Sequence, residues 1–388
     1  MSDYKVIDKC RFCNSQDLKL VLDLGLMPSV NCLLDTPDQE HNLYPLKMFR
    51  CNNCTIFQLD TVVSPEILYS KYNFRSGMSM TFKNHCYHLA KKIELITKPE
   101  SLIVDIASND GTMLSMIDRK VLGVEPASNL CEIMNSINIP NINKFFNYET
   151  ALDIATKQEA DIIIAQNVFA HVDNIHDFLH GVYRLLKPKG TFIVEVPWSV
   201  PTINNASFGQ VYHEHLSYIT IQGMALFLNK FHMYINYTEY FSNIHDGTMR
   251  FWIKKGNKEW SETDHYLNPE CINYDDFQSK VDKIKSDLLA LVGNEKVSGV
   301  CASAKGNILM NYCGLADKVD CIYDSTPEKV GKYTPGTRTK ILPFEEIANC
   351  KNKILILSPN WQDEVIKNVR MLNPNAKFIT TNPTVKEI

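Results

Sequence analysis

Two cysteine pairs near the start of the chain, Cys10-x-x-Cys13 and Cys51-x-x-Cys54, constrain its fold more than any other feature. Each pair brings two thiolates close enough to bind one tetrahedral ion, and two pairs complete a shell of four sulfurs. Such a shell leaves no position for water, so we expect a structural zinc site. The alternative is that the cysteines hold no metal or have a redox role. The long interval between the pairs predicts a small zinc-binding domain over residues 1–79.

Composition argues against nucleic-acid and membrane partners. The net charge of the 388 residues is −4 and no dense Lys/Arg run occurs, whereas nucleic-acid enzymes usually carry a basic patch. No apolar run reaches the length needed to span a membrane. Twelve cysteines in a chain without a secretory leader favour the reducing cytoplasm. The length suggests two or three domains, and a monomer is the default expectation.

Short apolar segments alternate with helical patterns from residue 101 onward. This alternation is typical of βαβ units and predicts an α/β fold with a mostly parallel, Rossmann-like sheet. We expect this core domain over residues 80–268. Its predicted strands are residues 101–105, 121–125, 161–165, 191–195 and 250–253, and its clearest helices are residues 81–96 and 178–186.

A second α/β unit is predicted over residues 269–388. It begins with an apolar stripe at helical spacing, which Gly293 ends. Short apolar strands at 297–301, 321–324 and 353–357 follow. The stripe consists of Phe277, Val281, Ile284, Leu288 and Leu291.

The segment Asp105-Ile-Ala-Ser-Asn-Asp-Gly111 closes the first core strand and opens a helix. A tight turn of this kind lets backbone amides approach a ligand at the carboxyl end of the sheet. Glu125, at the end of the next strand, can accept both hydroxyls of a ribose. A dinucleotide would call for GxGxxG, whereas this turn has one glycine and two acids. The pattern favours a cofactor with a cationic centre and no phosphate, such as S-adenosylmethionine, although a turn without a ligand is the alternative. The predicted cofactor residues are Asp105, Ser108, Asn109, Asp110, Gly111, Glu125, Gln166 and Asn167.

The motif Tyr212-His-Glu-His215 lies in a polar stretch, residues 197–220, that we expect above the carboxyl edge of the sheet. In extended structure the two histidines would share one face, so a metal site is one interpretation. The context favours acid–base chemistry, because a neutral imidazole can remove a proton near pH 7. Glu214 could then orient an imidazole or hold a hydroxyl, and Tyr212 could stabilise an oxyanion. A surface polar cluster is the remaining alternative.

Other polar residues are weaker candidates. His171 follows the strand at 161–165 and could face the cofactor pocket. His245 and Arg250 flank a turn glycine near a strand, so they could contact a substrate, although a plain turn is equally compatible with that segment.

The order of these motifs resembles that of the deoxysugar C-methyltransferases. The features that carry the resemblance are both CxxC pairs, the loop from Tyr72 to Ser79, the Asn-Asp-Gly turn, Gly123-Val-Glu-Pro126, Tyr212-His-Glu-His215 and Ala304-Lys-Gly-Asn307. The family implies a zinc-binding N-terminal domain, a class I methyltransferase core and a C-terminal α/β domain that helps to hold a nucleotide. It also implies methylation, through an enolate, of C-3 of a nucleotide-linked 4-keto-6-deoxy sugar, most simply a dTDP or GDP sugar.

Carried over by motif, the resemblance gives His215 the role of general base, with Tyr212 and Glu214 as partners. The expected substrate contacts are Tyr72, Ser79, His213, His245, Arg250, Lys305 and Asn307. One residue departs from the family, which usually has glycine where this chain has Ala107. Alanine fits there if its φ is negative. The competing functions are a zinc-bearing RNA methyltransferase and a non-catalytic interaction scaffold.

Overall fold

The structure, a computed structural model, describes residues 3–69, 75–244, 246–257 and 272–388. Its N-terminal part is an antiparallel sheet in the order β11-β4-β3-β2, with a second ribbon of β1 and β5. The strand β11 comes from far along the chain. The elements are β1 (Tyr4–Val6), β2 (Leu18–Pro28), β3 (Leu43–Cys51), β4 (Phe57–Leu59), β5 (Thr61–Val63), α1 (Pro65–Tyr69) and β11 (Ser217–Tyr218).

The middle part is a seven-stranded sheet in the order β8-β7-β6-β9-β10-β13-β12. Only the pairings of β13 are antiparallel. The elements are α2 (Met80–Ile96), β6 (Leu102–Ile106), β7 (Lys120–Val124), α3 (Ser128–Ser136), β8 (Asn141–Ile142), α4 (Tyr148–Ala155), β9 (Ala160–Gln166), α5 (Ile175–Leu185), β10 (Leu186–Pro197), α6 (Ser199–Asn204), α7 (Ile221–Asn229), β12 (Met233–Phe241) and β13 (Thr248–Lys255).

The C-terminal part is a six-stranded sheet in the order β16-β15-β14-β17-β18-β19, parallel except for its last strand. This is a Rossmann-like order. The elements are α8 (Phe277–Val292), β14 (Val297–Val300), α9 (Ala304–Cys313), β15 (Val319–Asp324), β16 (Lys340–Pro343), β17 (Lys353–Ile356), α10 (Gln362–Leu372), β18 (Phe378–Thr380) and β19 (Lys386–Glu387). The predicted α/β fold class with two Rossmann-like units is confirmed.

Both parallel sheets change winding direction at one point, between β6 and β9 in the middle part and between β14 and β17 in the C-terminal part. Ligands of open α/β sheets bind outside the carboxyl ends of the strands at such points. The molecule therefore has two crevices suited to ligands.

A shared hydrophobic core holds the three parts together. Leu46 of β3, Tyr218 of β11 and Phe277 of α8 are buried in one cluster with strands of the C-terminal sheet. The strand β11 pairs with β4, so a segment that lies between β10 and β12 along the chain completes the N-terminal sheet. The N-terminal sheet therefore includes a strand from beyond the predicted boundary at residue 79. Within the described ranges, no helix combines the length and apolar character needed to cross a membrane.

Candidate functional site

The four predicted metal ligands converge at one place in the N-terminal part. The sulfurs of Cys10 and Cys54 lie 3.5 Å apart, as do those of Cys13 and Cys51, and all four lie within 4.8 Å of one another. A tetrahedral zinc–thiolate site with bonds of about 2.3 Å requires sulfur–sulfur distances of roughly 3.8 Å. The cysteines therefore fit one zinc ion with no position left for water, and the zinc is structural.

The cofactor turn lies at the winding change of the middle sheet. Both carboxylate oxygens of Glu125 accept backbone hydrogen bonds, from Asn109 N–H and from Ala127 N–H, each at 2.9 Å. Asp105 and Glu125 are only 4% exposed, and burial raises the pKa of each carboxyl. Because each oxygen of Glu125 has a second lone pair, the carboxylate can still accept hydrogen bonds from the hydroxyl groups of a ligand.

Ala107 does not meet the condition under which alanine would fit the turn without strain. Its φ is +53°, in the left-handed region that costs a side-chain-bearing residue free energy. Ala107 N–H donates to the carbonyl of Val124 at 2.7 Å, so the residue is held at the end of the β6–β7 pairing. The condition for an unstrained alanine is therefore not met, and Ala107 is strained at a position suited to glycine.

A short strap, residues 75–79, runs across the turn. Ser76 N–H donates to Asn109 Oδ1 and Gly77 N–H donates to Asp110 Oδ2, both at 2.9 Å. A Cβ on Gly77 would lie 2.9 Å from the Asp110 carboxylate, so only glycine allows this approach. Asn109 and Asp110, predicted as cofactor residues, thus also hold the strap.

The predicted general base, His215, faces the same cavity as the turn. Its Nδ1 lies 2.9 Å from the carbonyl of Gln210, and its Nε2 lies 2.8 Å from the hydroxyl of Tyr212. A carbonyl can only accept, so Nδ1 donates and the neutral ring has its lone pair on Nε2. The Tyr212 hydroxyl therefore donates to Nε2. Burial raises the pKa of Tyr212 well above its ordinary value, which keeps it a phenol.

His171 lies beside this pair, as the sequence suggested. Its ring meets that of His215 edge-on, with 4.9 Å between centroids, and its Nδ1 is 3.1 Å from the hydroxyl of Tyr69. Burial lowers the pKa of His171 to about 4, so this imidazole is neutral near pH 7. No signal in the sequence indicated Tyr69, which joins the site only through the packing of α1.

The two histidines of the Tyr-His-Glu-His motif do not share a face. His213 points into the N-terminal sheet, where its Nε2 is 3.2 Å from the carbonyl of Pro45. Among the described residues, only the four cysteines form a group that could hold a metal ion. Glu214 is buried and accepts from Asn31 Nδ2 at 2.6 Å. Glu214 therefore acts on the cavity through Asn31, which lines it.

The winding change of the C-terminal sheet supplies the opposite wall. Residues 301–305, which lead from β14 into the first turn of α9, and Trp361 lie along it. Lys305 Nζ lies 2.8 Å from Asp246 Oδ2, and both side chains are largely buried. Lys329 Nζ lies 3.8 Å from Asp324 Oδ2 at the same edge.

Several predicted substrate contacts lie away from the cavity. The Ser79 hydroxyl caps α2 by accepting from Phe82 N–H. Asn307 is buried one turn into α9 and its Nδ2 lies 3.5 Å from the carbonyl of Val30. Arg250 is 1% exposed and pairs with Glu195 and Glu239. These three side chains serve packing and capping in the structure. Tyr72 and His245 lie outside the described residues.

One cavity of about 670 Å³ joins these features. All three parts of the molecule line it. Asn31 and Tyr69 come from the N-terminal part, residues 105–109 and Glu125 from the middle sheet, and the edge at 301–305 from the C-terminal sheet. Gln166 and Asn167, both predicted as cofactor residues, line the cavity, whereas Asp110 and Gly111 are not among its lining residues.

Known protein families match the chain in three consecutive blocks. Residues 10–69 match a zinc binding domain, residues 83–232 a methyltransferase domain and residues 243–383 a C-methyltransferase C-terminal domain. The chain is also 27% identical over 416 residues to the C-methyltransferase NovU of Streptomyces niveus, covering 98% of this chain and 97% of that protein.

Solved structures overlap part of the chain more weakly. Magnesium protoporphyrin IX methyltransferase of Synechocystis PCC 6803, with bound S-adenosylmethionine, has a TM-score of 0.34 and 10% identity, covering 45% of this chain and 79% of that one. A Burkholderia thailandensis 1,6-didemethyltoxoflavin-N1-methyltransferase has a TM-score of 0.34 and 11% identity, covering 45% and 78%. Likenesses this weak say nothing about the substrate.

The fold, the turn and the domain matches define an S-adenosylmethionine-dependent methyltransferase. The matched C-terminal domain and the similarity over the full length narrow the assignment from methyltransferases in general to C-methyltransferases. The chain is a C-methyltransferase that carries an N-terminal zinc-binding domain, and its cofactors are S-adenosylmethionine and a structural zinc ion.

Proposed function

We propose that this enzyme methylates C-3 of a nucleotide-linked 4-keto-6-deoxy sugar through an enolate. The observation that carries the proposal is the Tyr212–His215 pair, with its lone pair on Nε2, in a cavity whose other walls are the cofactor turn and the C-terminal sheet edge. Methylation at carbon requires loss of a proton from that carbon, and a base at this position supplies that step.

The carbonyl at C-4 acidifies the proton on C-3, so an imidazole is strong enough to remove it. Because Tyr212 donates to Nε2, the two side chains act as one proton acceptor, and the substrate proton ends on Nε2 directly or through the phenol. The oxygen of the resulting enolate needs a hydrogen-bond donor. Tyr212, and Tyr69 beside His171, are the phenols of this wall.

The cofactor, when bound, supplies a methyl group on a sulfonium. Asp105, Asn109 and Glu125 would hold it at the carboxyl end of the middle sheet. With the base and the acceptor carbon held on the facing wall, the enzyme gains from orientation, which can lower a barrier by roughly 7–11 kcal/mol.

The C-terminal edge is suited to the nucleotide half of the substrate. The first turn of α9 presents backbone N–H groups, Trp361 offers an aromatic face, and the cations of Lys305 and Lys329, paired with Asp246 and Asp324, lie at the same edge. Helix N-termini and cations favour phosphate, and aromatic faces favour a base. This combination supports a nucleotide sugar over a small free acceptor.

The proposal is tested by incubating the enzyme with S-adenosylmethionine and a panel of dTDP-, GDP- and CDP-linked 4-keto-6-deoxy sugars, and reading the products by mass spectrometry. We expect one panel member to gain one methylene mass. His215→Asn should lose turnover and also lose exchange of the C-3 proton with deuterium oxide, while binding S-adenosylhomocysteine as the wild type does. Full turnover in His215→Asn, or no product from any sugar by a wild type that binds the cofactor, would refute the assignment.

A further inference from the structure

The short segment between Cys10 and Cys13 reaches from the zinc site to the reaction site. Its Arg11 is 7% exposed, although buried arginines are rare unless paired. The Arg11 backbone N–H donates to Gln58 Oε1 at 2.8 Å, which anchors the residue to β4. The guanidinium is thereby aimed away from the metal shell and toward the middle part of the molecule.

One contact of Arg11 is to the residue that follows the proposed base. Its Nη1 donates to the carbonyl of Leu216 at 2.9 Å and, at 3.3 Å, to that of Leu59. Leu59 N–H donates to the same Leu216 carbonyl at 3.0 Å. The peptide that carries His215 into β11 is therefore clamped by two donors from the N-terminal part.

The second contact of Arg11 is to the neighbourhood of His171. Its Nε lies 3.5 Å from Asp173 Oδ1, and Asp173 lines the cavity two residues after His171. Lys5 reaches the same carboxylate at 2.6 Å, but from an exposed position. Arg11 is thus a buried cation that hydrogen-bonds the segment of His215 through Nη1 and forms an ion pair with the segment of His171 through Nε.

Phe12 completes the same arrangement. Its ring is 1% exposed and packs edge-on against Phe227 at 4.9 Å and, at 6.3 Å, near Phe169, which lies two residues before His171. Its carbonyl lies 3.1 Å from Nε2 of His176. Arg11 and Phe12 therefore pack against the chain segments around His215 and His171, and a metal ion at the flanking cysteines would hold the backbone of both residues in place.

We propose that Arg11 is a positioning residue for the reaction, which sets the geometry between His215 and His171 from the zinc-bound segment. The inference rests on the proposed role of His215. It assigns the zinc site a second consequence besides stability, because the metal fixes the backbone from which Arg11 reaches both segments. Arg11 contacts neither cavity nor substrate, so it acts through Leu216 and Asp173.

The test compares Arg11→Met with Lys5→Met, which removes only the exposed contact to Asp173. We expect Arg11→Met to bind zinc at the wild-type stoichiometry, to lower kcat by about 10- to 100-fold, the scale of a small misplacement of reacting groups, and to leave KM for both substrates close to wild type. Arg11→Lys should recover part of kcat, because an ammonium keeps the charge but cannot serve both partners. Lys5→Met should resemble the wild type.

A second readout does not need turnover. The ring resonances of His215, assigned by comparison with His215→Asn, should shift in Arg11→Met and stay unchanged in Lys5→Met. If the wild type methylates none of the sugars, this readout still tests the role of Arg11. Unchanged His215 resonances and kcat in Arg11→Met would overturn the proposal, and so would loss of zinc, since Arg11 would then serve the metal site.

Discussion

At the scale of single residues, the cofactor turn combines strain with close packing. Ala107, Asn109 and Gly111 all have positive φ, at +53°, +52° and +77°. Asparagine and glycine are the residues that tolerate this region, whereas alanine has no compensating side-chain hydrogen bond. The strain at Ala107 therefore has a cost that a single substitution could remove.

We expect Ala107→Gly to stabilise the enzyme. Release of a left-handed alanine is worth roughly 1–2 kcal/mol, and the greater unfolded-state entropy of glycine offsets about 0.5–1 kcal/mol of this. The free energy of unfolding should rise by up to about 1 kcal/mol, measured by urea denaturation. Affinity for S-adenosylmethionine, measured by calorimetry, should be equal or tighter because the methyl group of Ala107 lines the cavity.

The matched control is Ala127→Gly, since Ala127 has an ordinary φ of −78°. That substitution relieves no backbone strain, so it should lower the free energy of unfolding. If both variants lose stability by the same amount, the strain assigned to Ala107 is absent.

Residues adjacent in sequence were the ones that sequence reasoning could place. The cysteine pairs, the 105–111 turn and Tyr212-His-Glu-His215 are contiguous motifs whose chemistry follows from spacing alone. The sign of φ at Ala107 depends on the backbone path from β6 into the turn. The divergence of His213 and His215 depends on a turn of the chain within their own motif. Neither property is encoded in the spacing, so both needed the structure.

At the scale of elements, the segment that carries the proposed base is held by the N-terminal sheet. The strand β11 pairs with β4 immediately after His215, and His213 inserts against β3, where its ring meets that of Tyr44 at 5.7 Å between centroids. His213 is 1% exposed, and burial lowers its pKa to about 4. This contact makes the stability of the folded protein depend on pH.

Stability should fall in acid because of His213. The unfolded imidazole takes up a proton below about pH 6.5, its ordinary pKa, but the folded one only near pH 4. The stabilisation is therefore complete above pH 6.5 and is lost as the pH falls toward 4. One such group contributes a slope of about 1.4 kcal/mol per pH unit in that window. Urea denaturation between pH 4.5 and 7.5, roughly spanning that window, measures this slope.

The variant that isolates this effect is His213→Gln. It should be less stable at neutral pH, since it loses the packing against Tyr44, but its stability should decline less steeply in acid. The exposed His88→Gln serves as control and should keep the wild-type slope. Parallel slopes for all three proteins would contradict the assignment to His213.

Long elements were predicted better than short ones. The buried strands β6, β9 and β10 are continuous apolar runs, and α8 has a regular stripe, so their existence could be read from the sequence. The two residues of β11 have no pattern of their own, because their pairing with β4 is fixed by contacts across more than 150 positions of the chain. Such a strand can be found only once the packing is known.

At the scale of the whole molecule, the reaction site belongs to no single part. The cofactor turn and the C-terminal edge form facing walls, and the N-terminal part closes the space between them. The two winding changes, one in each parallel sheet, therefore open onto the same cavity. This arrangement predicts that the binding of the cofactor and the binding of the sugar substrate can be weakened separately.

We expect Trp361→Ala to raise KM for the nucleotide sugar roughly tenfold, equivalent to ~1.4 kcal/mol, because it removes an aromatic face from the C-terminal wall. Its affinity for S-adenosylmethionine should not change. Glu125→Gln should show the reverse pattern, with weaker cofactor binding and an unchanged sugar KM. Steady-state kinetics with each substrate varied in turn measures both. Equal losses for both substrates in either variant would show that the walls are not separate.

The three-part organisation followed from the sequence, but the convergence did not. The alternation of strands and helices predicts each α/β unit, so the crevice at the carboxyl ends of its strands could be expected. The meeting of Lys329 and Trp361 with the other two parts depends on how the units dock, for which the chain gives no local signal.

The pairing of β11 with the N-terminal sheet limits how this enzyme can be recombined with its relatives. A chimera joined at residue 79 would pair a foreign N-terminal sheet with a β11 and an Asp173 that were matched to another partner. A productive exchange would have to transfer β11 and the segment leading into it together with the first 69 residues. In this enzyme, the segments that must be exchanged together are therefore neighbours in space but not in sequence.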